Sequence, residues 1–547
     1  DPALLIYPSN PNYQIAADYL NANGFSSIVG QPLAVTSRVF DFGPRTTEDK
    51  ATQWRTVAGF RGTFARQDYE AAYTRNESEV KGRVIAGFFS LTEFARLVQN
   101  SDYNPFSLQQ SAAFNAKLPA AAYVGPTLNG KGKSESLDAK ISGEVFKLPA
   151  GPLLYAAGVQ WRKEELVTSP SPALETGDIA GLGGSVPPVN QTRRDTAFFG
   201  ELNVPIVPTV EASGQIRYDR YSDVGNTTNY YGSVRWQPTR SVLVRGAYGT
   251  GFRAPTLIDL YQPVTLGTSE QFTDPISGQQ NLQVNAFSGG NPKLKPETSD
   301  QWSIGVVFQP TRQFSVGVDY FNIKLEDIIS TPSAQEVVSG FSNGDAAYAN
   351  SVVLVGGQIE TITTQIVNAG KAKIEGYDIN LSYRDDFPFG GLAVTMTGSY
   401  VTKFDQTSPG GILFHKVATI VDGNGDPVIG AADTGGVVLR WKHVLSATLT
   451  RGPWAFTATQ NFYSGYETGN RQIDGARNFV SSQSIFDAQI AYSGIKNLRL
   501  ALGVKNLLDR NPPIYVPVSN QFQAGYDASL YDPRARYVYG SINYKFF

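Results

Sequence analysis

The chain has 547 residues, of which 46 are basic and 48 acidic, for a net charge of −2. It contains no cysteine and only two histidines, which excludes a disulfide scaffold or cysteine-ligated metal, and no basic field exists to hold nucleic acid. Charged residues make up 17%, against roughly 25% in an average soluble domain, and no run approaches the roughly 18 to 20 apolar residues of a membrane-spanning helix, which leaves a membrane β-barrel open.

The sequence opens at Asp1 without Met or an apolar leader, so a secretory signal is expected upstream or already removed. From there the dominant pattern is two-residue alternation. At Leu153 to Lys163, Leu153, Tyr155, Ala157, Val159 and Trp161 fall on one strand face, and Leu154, Ala156, Gly158, Gln160 and Arg162 on the other. In chain order the pattern predicts about seventeen strands: 53–64, 67–85, 134–148, 152–168, 192–207, 210–225, 227–240, 242–254, 297–311, 314–327, 372–387, 390–404, 437–452, 453–469, 479–495, 498–510 and 531–547. An eighteenth is placed near 32–43, within a loop or early-strand region covering 1–52. One helix is predicted, in the first long connection, where Ser90-Leu91-Thr92-Glu93 reads as a capping box ahead of Phe94, Leu97 and Val98.

The connections sort by length. Tight turns fall near 65–67, 149–152, 208–209, 310–313, 388–391, 452–453 and 496–497, and long loops lie between them, near 86–133, 169–191, 255–296, 328–371, 405–436, 470–478 and 511–530. A soluble sandwich has no reason to sort its loops in this way. An outer-membrane barrel has short periplasmic turns and long extracellular loops, so the expected fold is all-β, a large antiparallel transmembrane barrel with Phe547 at the periplasmic side. Aromatic residues near strand ends, Tyr218, Tyr221, Tyr230, Tyr231, Tyr248, Phe252, Tyr537 and Tyr539, are expected to form its interfacial girdles.

Five segments carry a family resemblance: Gly251-Phe252-Arg253-Ala254-Pro255, Gly290 to Glu297 (GNPKLKPE), Ile374-Glu375-Gly376-Tyr377-Asp378, Val504 to Arg510 (VKNLLDR), and Tyr531-Asp532-Pro533-Arg534 with terminal Phe547. Together, and in this order, they resemble the C-terminal portion of TonB-dependent outer-membrane transporters. The resemblance implies a 22-stranded barrel, an N-terminal plug, the TonB complex as partner acting through that plug, and Phe547 as a barrel-assembly signal. Counted back from Phe547, seventeen or eighteen strands leave the plug and the first four or five strands unaccounted for, so a fragment, or a second polypeptide completing the barrel, is expected. The residues also have plain physical uses. Pro255 removes a ladder donor and ends a strand, Pro292 and Pro296 delay the next strand to Glu297, and Gly376 allows a kink or close backbone approach.

Candidate site residues lie in the loops and on the lumen face. Arg253, Tyr261, Phe272, Phe287, Phe341, Tyr348 and His415 are candidates for an apolar or sugar-like substrate, although the loop aromatics equally suit packing against one another. Lumen-facing Arg162, Arg217, Asp219, Arg245 and Asp319 suit salt-bridged rungs on the wall or contacts to a plug, and His443 is expected at the lumen or an interface. Asp422, Asn424, Asp426 and Asp433 have the one-three-five-twelve oxygen spacing of a calcium loop, but Pro427 stands where such loops need glycine, so a polar turn is the favoured reading. Haem receptors of the resembling family place a histidine between segments like Pro255 and Asn291; this chain has none there.

The resulting expectation is a receptor in a lipid bilayer for TonB-energised uptake of a scarce substrate, such as a ferric siderophore or an oligosaccharide. It is expected to do no covalent chemistry and to need no cofactor, the loop just named being the one candidate for calcium. Two other readings stay open: a passive porin-like channel, and a barrel serving as a surface-binding or scaffold component.

Overall fold

The computed structural model describes residues 4–35, 39–99, 102–428, 436–471, 475–516 and 525–546. Seventeen long strands form one antiparallel barrel wall: β1 (Thr46–Phe64), β2 (Gln67–Phe89), β3 (Ala122–Leu148), β4 (Gly151–Pro170), β5 (Val189–Val207), β6 (Val210–Tyr221), β7 (Gly225–Thr239), β8 (Val242–Arg253), β9 (Glu297–Phe308), β10 (Phe314–Ser330), β11 (Val367–Phe387), β12 (Gly390–Thr407), β13 (Trp441–Arg451), β14 (Trp454–Tyr463), β15 (Gln483–Ile495), β16 (Leu498–Lys505) and β17 (Tyr537–Tyr544). Each falls on a predicted alternating segment. The eighteenth does not join them. Its described part, Leu33–Val35, follows Pro32, is three residues long, and pairs with Leu4–Ile6 in a separate two-stranded sheet.

The period of two sorts the wall into faces. Val244, Val306, Val318 and Ile379 stand in register across β8 to β11, on the outward apolar face. One residue on, Arg245, Gly305 and Asp319 stand in register on the inward face, and Arg245 reaches over Gly305 to Asp319 at 2.6 Å. Glycine is required there, since an added Cβ would collide with the Asp319 carboxylate. The outward row Ile304, Tyr320, Tyr377, Tyr400 and Trp441 runs across β9 to β13 as an aromatic girdle. The girdle expectation fails for four of its eight named residues, Tyr221, Tyr231, Tyr537 and Tyr539. Tyr230 and Tyr248 face outward, but Tyr231 is Tyr230's neighbour and must face the lumen, in register with Gln215 and Gly249. Tyr537 and Tyr539 share their face with Lys505 and are likewise inward.

Several strands run further toward the loop end than alternation of apolar residues foretells. β3 starts at Ala122 rather than near 134 because its extension alternates charge: Glu135 meets Arg75 at 3.5 Å, Lys133 meets Glu165 at 2.9 Å, and Lys131 pairs with Glu77. At the turn end the links are minimal. Ala65 and Arg66, with φ of 50° and 64°, join β1 to β2 in a two-residue turn whose positive φ values match the strand twist.

In circular order β17 stands beside β1. Residue registers span the other sixteen interfaces but none spans this seam among the described residues. Sixteen antiparallel pairings make β1 and β17 run in the same direction, and every residue of both strands except Gly62 and Tyr539 is solvent-exposed.

The long connections fold into a canopy with its own cores. The structure holds six α-helices among the described residues, where the sequence reading placed one: α1 (Tyr13–Ala22), α2 (Leu91–Gln99), α3 (Ala112–Asn115), α4 (Pro172–Glu175), α5 (Leu257–Tyr261) and α6 (Ala334–Ser342). The box expected at α2 is half made. Ser90 Oγ accepts the Glu93 amide at 3.0 Å, but the Ser90 amide donates to the Ala121 carbonyl at 2.8 Å, and the Glu93 carboxylate pairs with Arg96. Complete boxes cap α5 (Thr256 with Asp259) and α6 (Ser333 with Glu336). The second pattern, Ser-x-x-Glu ahead of Val337 and Val338, is legible in the sequence. Beside α6 lies a four-stranded sheet of short strands, Thr265–Thr268, Asn285–Gly289, Gln358–Gln365 and Val352–Val355, in which 285–289 and 358–365 pair in parallel.

Candidate functional site

The motif residues hold the wall's upper edge together. Arg253 bonds Glu297, its ladder partner, at 2.6 Å and Asp259 of α5 at 3.3 Å. Glu297 also accepts the Ile329 amide at 2.7 Å, and Asn291 donates to the Ile366 carbonyl at 2.9 Å. Arg253 therefore ties β8, β9 and α5 at the mouth of the barrel. Gly376 admits a close approach: a Cβ there would lie 2.6 Å from the Tyr400 carbonyl, at a bulge in the β11–β12 register. Asn506 exchanges bonds with Arg510 at 2.8 and 2.9 Å, and Asp509 accepts the Arg536 amide at 2.8 Å, which folds the chain back after β16. Arg534 draws the Asp532 carboxyl down to about 2. Phe547 lies outside the described residues.

The lumen charges form rungs. Besides Arg245 with Asp319, Arg217 meets Asp219 at 2.8 Å and also reaches Gln160 at 3.0 Å. Next to them Arg193 and Asp223 form a buried pair at 2.9 Å, with the guanidinium over the Tyr221 ring at 5.4 Å. Arg162 leans on Glu164 at 3.4 Å. His443 does not face the lumen. It stands on the outward row, where the Trp441 indole N–H donates to its Nδ1 at 2.8 Å and the Phe462 ring stacks on it.

The loop candidates are divided by the fold. Phe272 and Tyr348 are 3% and 9% exposed inside the core that holds Val337, Val338 and Ile362, with Phe341 against its edge. Tyr261 packs beside Leu260, Leu294 and Ile329. Phe287 remains exposed on the opposite face of its strand from Ala286 and Ser288. His415 Nδ1 sits 2.6 Å from Asp405 Oδ1 on the hairpin beyond β12. At the acidic turn, Asp422 Oδ1 accepts the amides of Asn424 at 2.8 Å and Asp426 at 3.0 Å; Asp433 lies outside the described residues.

Between these elements is a cavity of about 380 Å³. Its floor is one face of the short sheet: Gly267, Ala286 and Ile362 in one row, Ser288 and Thr364 in the next. The walls are Ser330 and Thr331 at the end of β10, the start of α6, and the hairpin bearing Gln406, Ser408, Phe414 and Lys416. Ser330 Oγ is buried with no hydrogen-bond partner. Lys416 Nζ donates to Gln406 Oε1 at 2.9 Å, no ion pair to it is found among the described residues, and burial pulls its ammonium below the usual lysine range. No local motif marks these residues in the sequence, since they come from three separate long loops.

A large antiparallel barrel with polar lumen rungs, an outward aromatic girdle and a folded loop canopy defines an outer-membrane barrel protein. Residues 6–507 match the family described as TonB dependent receptor-like, beta-barrel, and the chain belongs to that family. It is similar to the ferric enterobactin receptor of Pseudomonas aeruginosa, 23% identical over 401 residues, covering 71% of this chain and 48% of that protein. It is also similar to the hemin receptor of Yersinia pestis, 25% identical over 283 residues, covering 50% of this chain and 37% of that protein. In fold it is similar to the crystal structure of a mutant of the P. aeruginosa ferric enterobactin receptor, with TM-score 0.61, 17% identity and coverage of 95% of this chain and 63% of that one. The chain thus spans half or less of the curated relatives it matches.

Proposed function

We propose that this chain is the wall and outer-loop portion of a receptor for TonB-energised uptake of a scarce substrate, of which a ferric siderophore is the leading class. The observation that carries the reading is a polar cavity in the canopy above a lumen lined with paired charges, on a wall of the TonB-dependent family. The receptor role needs no covalent chemistry. Haem is disfavoured because neither histidine, His415 nor His443, lies between Pro255 and Asn291. The loop end faces outward in this reading and the tight turns face the periplasm.

The strand order of this chain closes with β17 beside β1, and the second element of the proposal is that in the membrane further strands stand between them. Those two strands run in the same direction, and an all-antiparallel barrel would need an odd number of strands between them. Unpaired edges in lipid cost several kcal/mol for each unsatisfied group. Energised uptake is tested by accumulation of radiolabelled ferric siderophores in iron-limited cells with and without TonB. Accumulation that requires both this protein and TonB is expected, and TonB-independent entry would favour the porin. Efficient disulfide formation between cysteines placed in β17 and β1 would overturn the completed-barrel element.

A further inference from the structure

The canopy cavity has a chemistry of its own. On its floor a hydroxyl row, Ser288 and Thr364, lies beside an apolar row, Gly267, Ala286 and Ile362, and Gly267 leaves open space where a side chain would close it. A surface that sets small hydroxyls beside apolar groups matches a molecule that alternates C–OH and C–H, and Phe414 offers the one aromatic face in the lining. Ser330 Oγ is a buried polar atom still lacking a partner, at the wall of the same space. A buried hydroxyl of this kind calls for a ligand atom or water.

The lining carries three charged residues, Glu270, Glu336 and Lys416, of which Glu270 is solvent-exposed at the rim. Glu336 is saturated by its own helix cap and by the Gly410 amide at 3.2 Å. Lys416 is the cavity's cation, half-buried, held by a neutral amide oxygen, and without an ion pair among the described residues. The neighbouring carboxylate Asp405 is taken up by Lys403 at 3.0 Å and His415 at 2.6 Å. A partly desolvated ammonium with a neutral partner gains most from an anionic acceptor.

We infer that this cavity is a binding subsite for a hydroxylated carboxylate, a sugar acid in size and shape, with Lys416 on the carboxylate and the Ser330, Ser288 and Thr364 hydroxyls on the ligand's hydroxyls. The volume of about 380 Å³ lies at the small end of ligand pockets, roughly 300 to 1,000 Å³. The inference deepens the receptor reading and rests on it for biological meaning, but not for the binding itself.

Isothermal titration of the detergent-solubilised full chain with D-glucuronate and with D-glucose is the test. Saturable binding of glucuronate is expected, about tenfold or more tighter than glucose, the usual worth of a hydrogen bond to a charged group. Lys416→Gln should bring glucuronate down to the glucose level, and Thr364→Val should weaken both ligands severalfold. Folding of each variant is read from its migration on unboiled gels, with Lys416→Met replacing a Lys416→Gln protein that does not fold. No saturable glucuronate binding by the unmodified chain, equal affinities for the two sugars, or unchanged glucuronate affinity in the folded Lys416 variant would each overturn the subsite. Titration requires neither TonB nor a plug. Binding without energised uptake therefore counts against the receptor reading alone, and uptake without glucuronate binding counts against the subsite alone.

Discussion

In the wall, a residue's partners follow from counting: Val306 meets Val244 and Val318 because three strands stand in a fixed register, and Gly305 beside it faces the other way. In the canopy, Phe94 meets Phe42, Phe89, Tyr103 and Phe114 at ring separations of 5.7, 4.7, 5.7 and 6.5 Å, and no period relates these positions. The wall is held by a ladder in which each hydrogen bond is local to its neighbour strand, with lipid on one side and a polar lumen on the other. The canopy is held as a small soluble domain is, by buried side chains and capped helix ends. One chain thus carries two kinds of stability, and damage to one region need not travel to the other.

The largest effect that would sharpen this contrast comes from Phe94→Ala. Phe94 is 1% exposed, and removing a fully buried aromatic costs about 3 to 5 kcal/mol. The first long connection should become protease-sensitive while unboiled gel migration, which reports the wall, is unchanged. Loss of both together would show that canopy and wall unfold as one unit. The reciprocal damage is Val306→Arg, on the outward apolar row away from the girdle, which should cost the wall about 2 to 4 kcal/mol in bilayer unfolding. Ser303→Arg, on the same strand but facing the lumen, should cost far less. Equal losses at the two positions would refute the assignment of faces.

The smallest effect is at the base of α2. Asp178 accepts Ser90 Oγ at 2.5 Å and the Thr92 amide at 2.8 Å. Burial acts to raise its carboxyl, and the bonds from Ser90 and Thr92 outweigh it, so the group ends below its ordinary value. A depressed folded pKa gives stability that is present above the unfolded value near 3.9 and is lost as pH falls through the folded one. Asp178→Asn should weaken hydrogen-exchange protection of α2 by about 0.3 to 1 kcal/mol at pH 7, with the difference from the unmodified protein vanishing in acid below the folded pKa. A difference that persists there would mean that the carboxylate charge is not the cause.

How much could be read in advance divides along the same line. Alternation placed all seventeen wall strands, because a strand between lipid and a polar lumen must change character at every residue and one-residue slips are penalised along its whole length. Boundaries slipped where that contrast ends: at β3 the extension alternates Lys131, Lys133 and Glu135 with glycine and serine, and cross-strand ion pairs replace apolar rows. Charged lumen rungs such as Arg245 with Asp319 were legible as charges on one face, but their partners were not. Among the helices, α5 is a single five-residue turn and α1 has no side-chain cap, so the local signal is weak at both, whereas α6 is as long as α2 and carries the same Ser-x-x-Glu pattern.

The sequence by itself determined the β class, the strand count, the sorting of short and long connections and the family resemblance, all of which rest on local periodicity and local motifs. Only the tertiary structure decided that Phe272 and Tyr348 are core, that His443 faces outward, and that Ser330, Thr364 and Lys416 share a cavity. Those facts depend on contacts between loops far apart in the chain. There, many packings satisfy the same composition, and nothing in the spacing of the residues says which one forms.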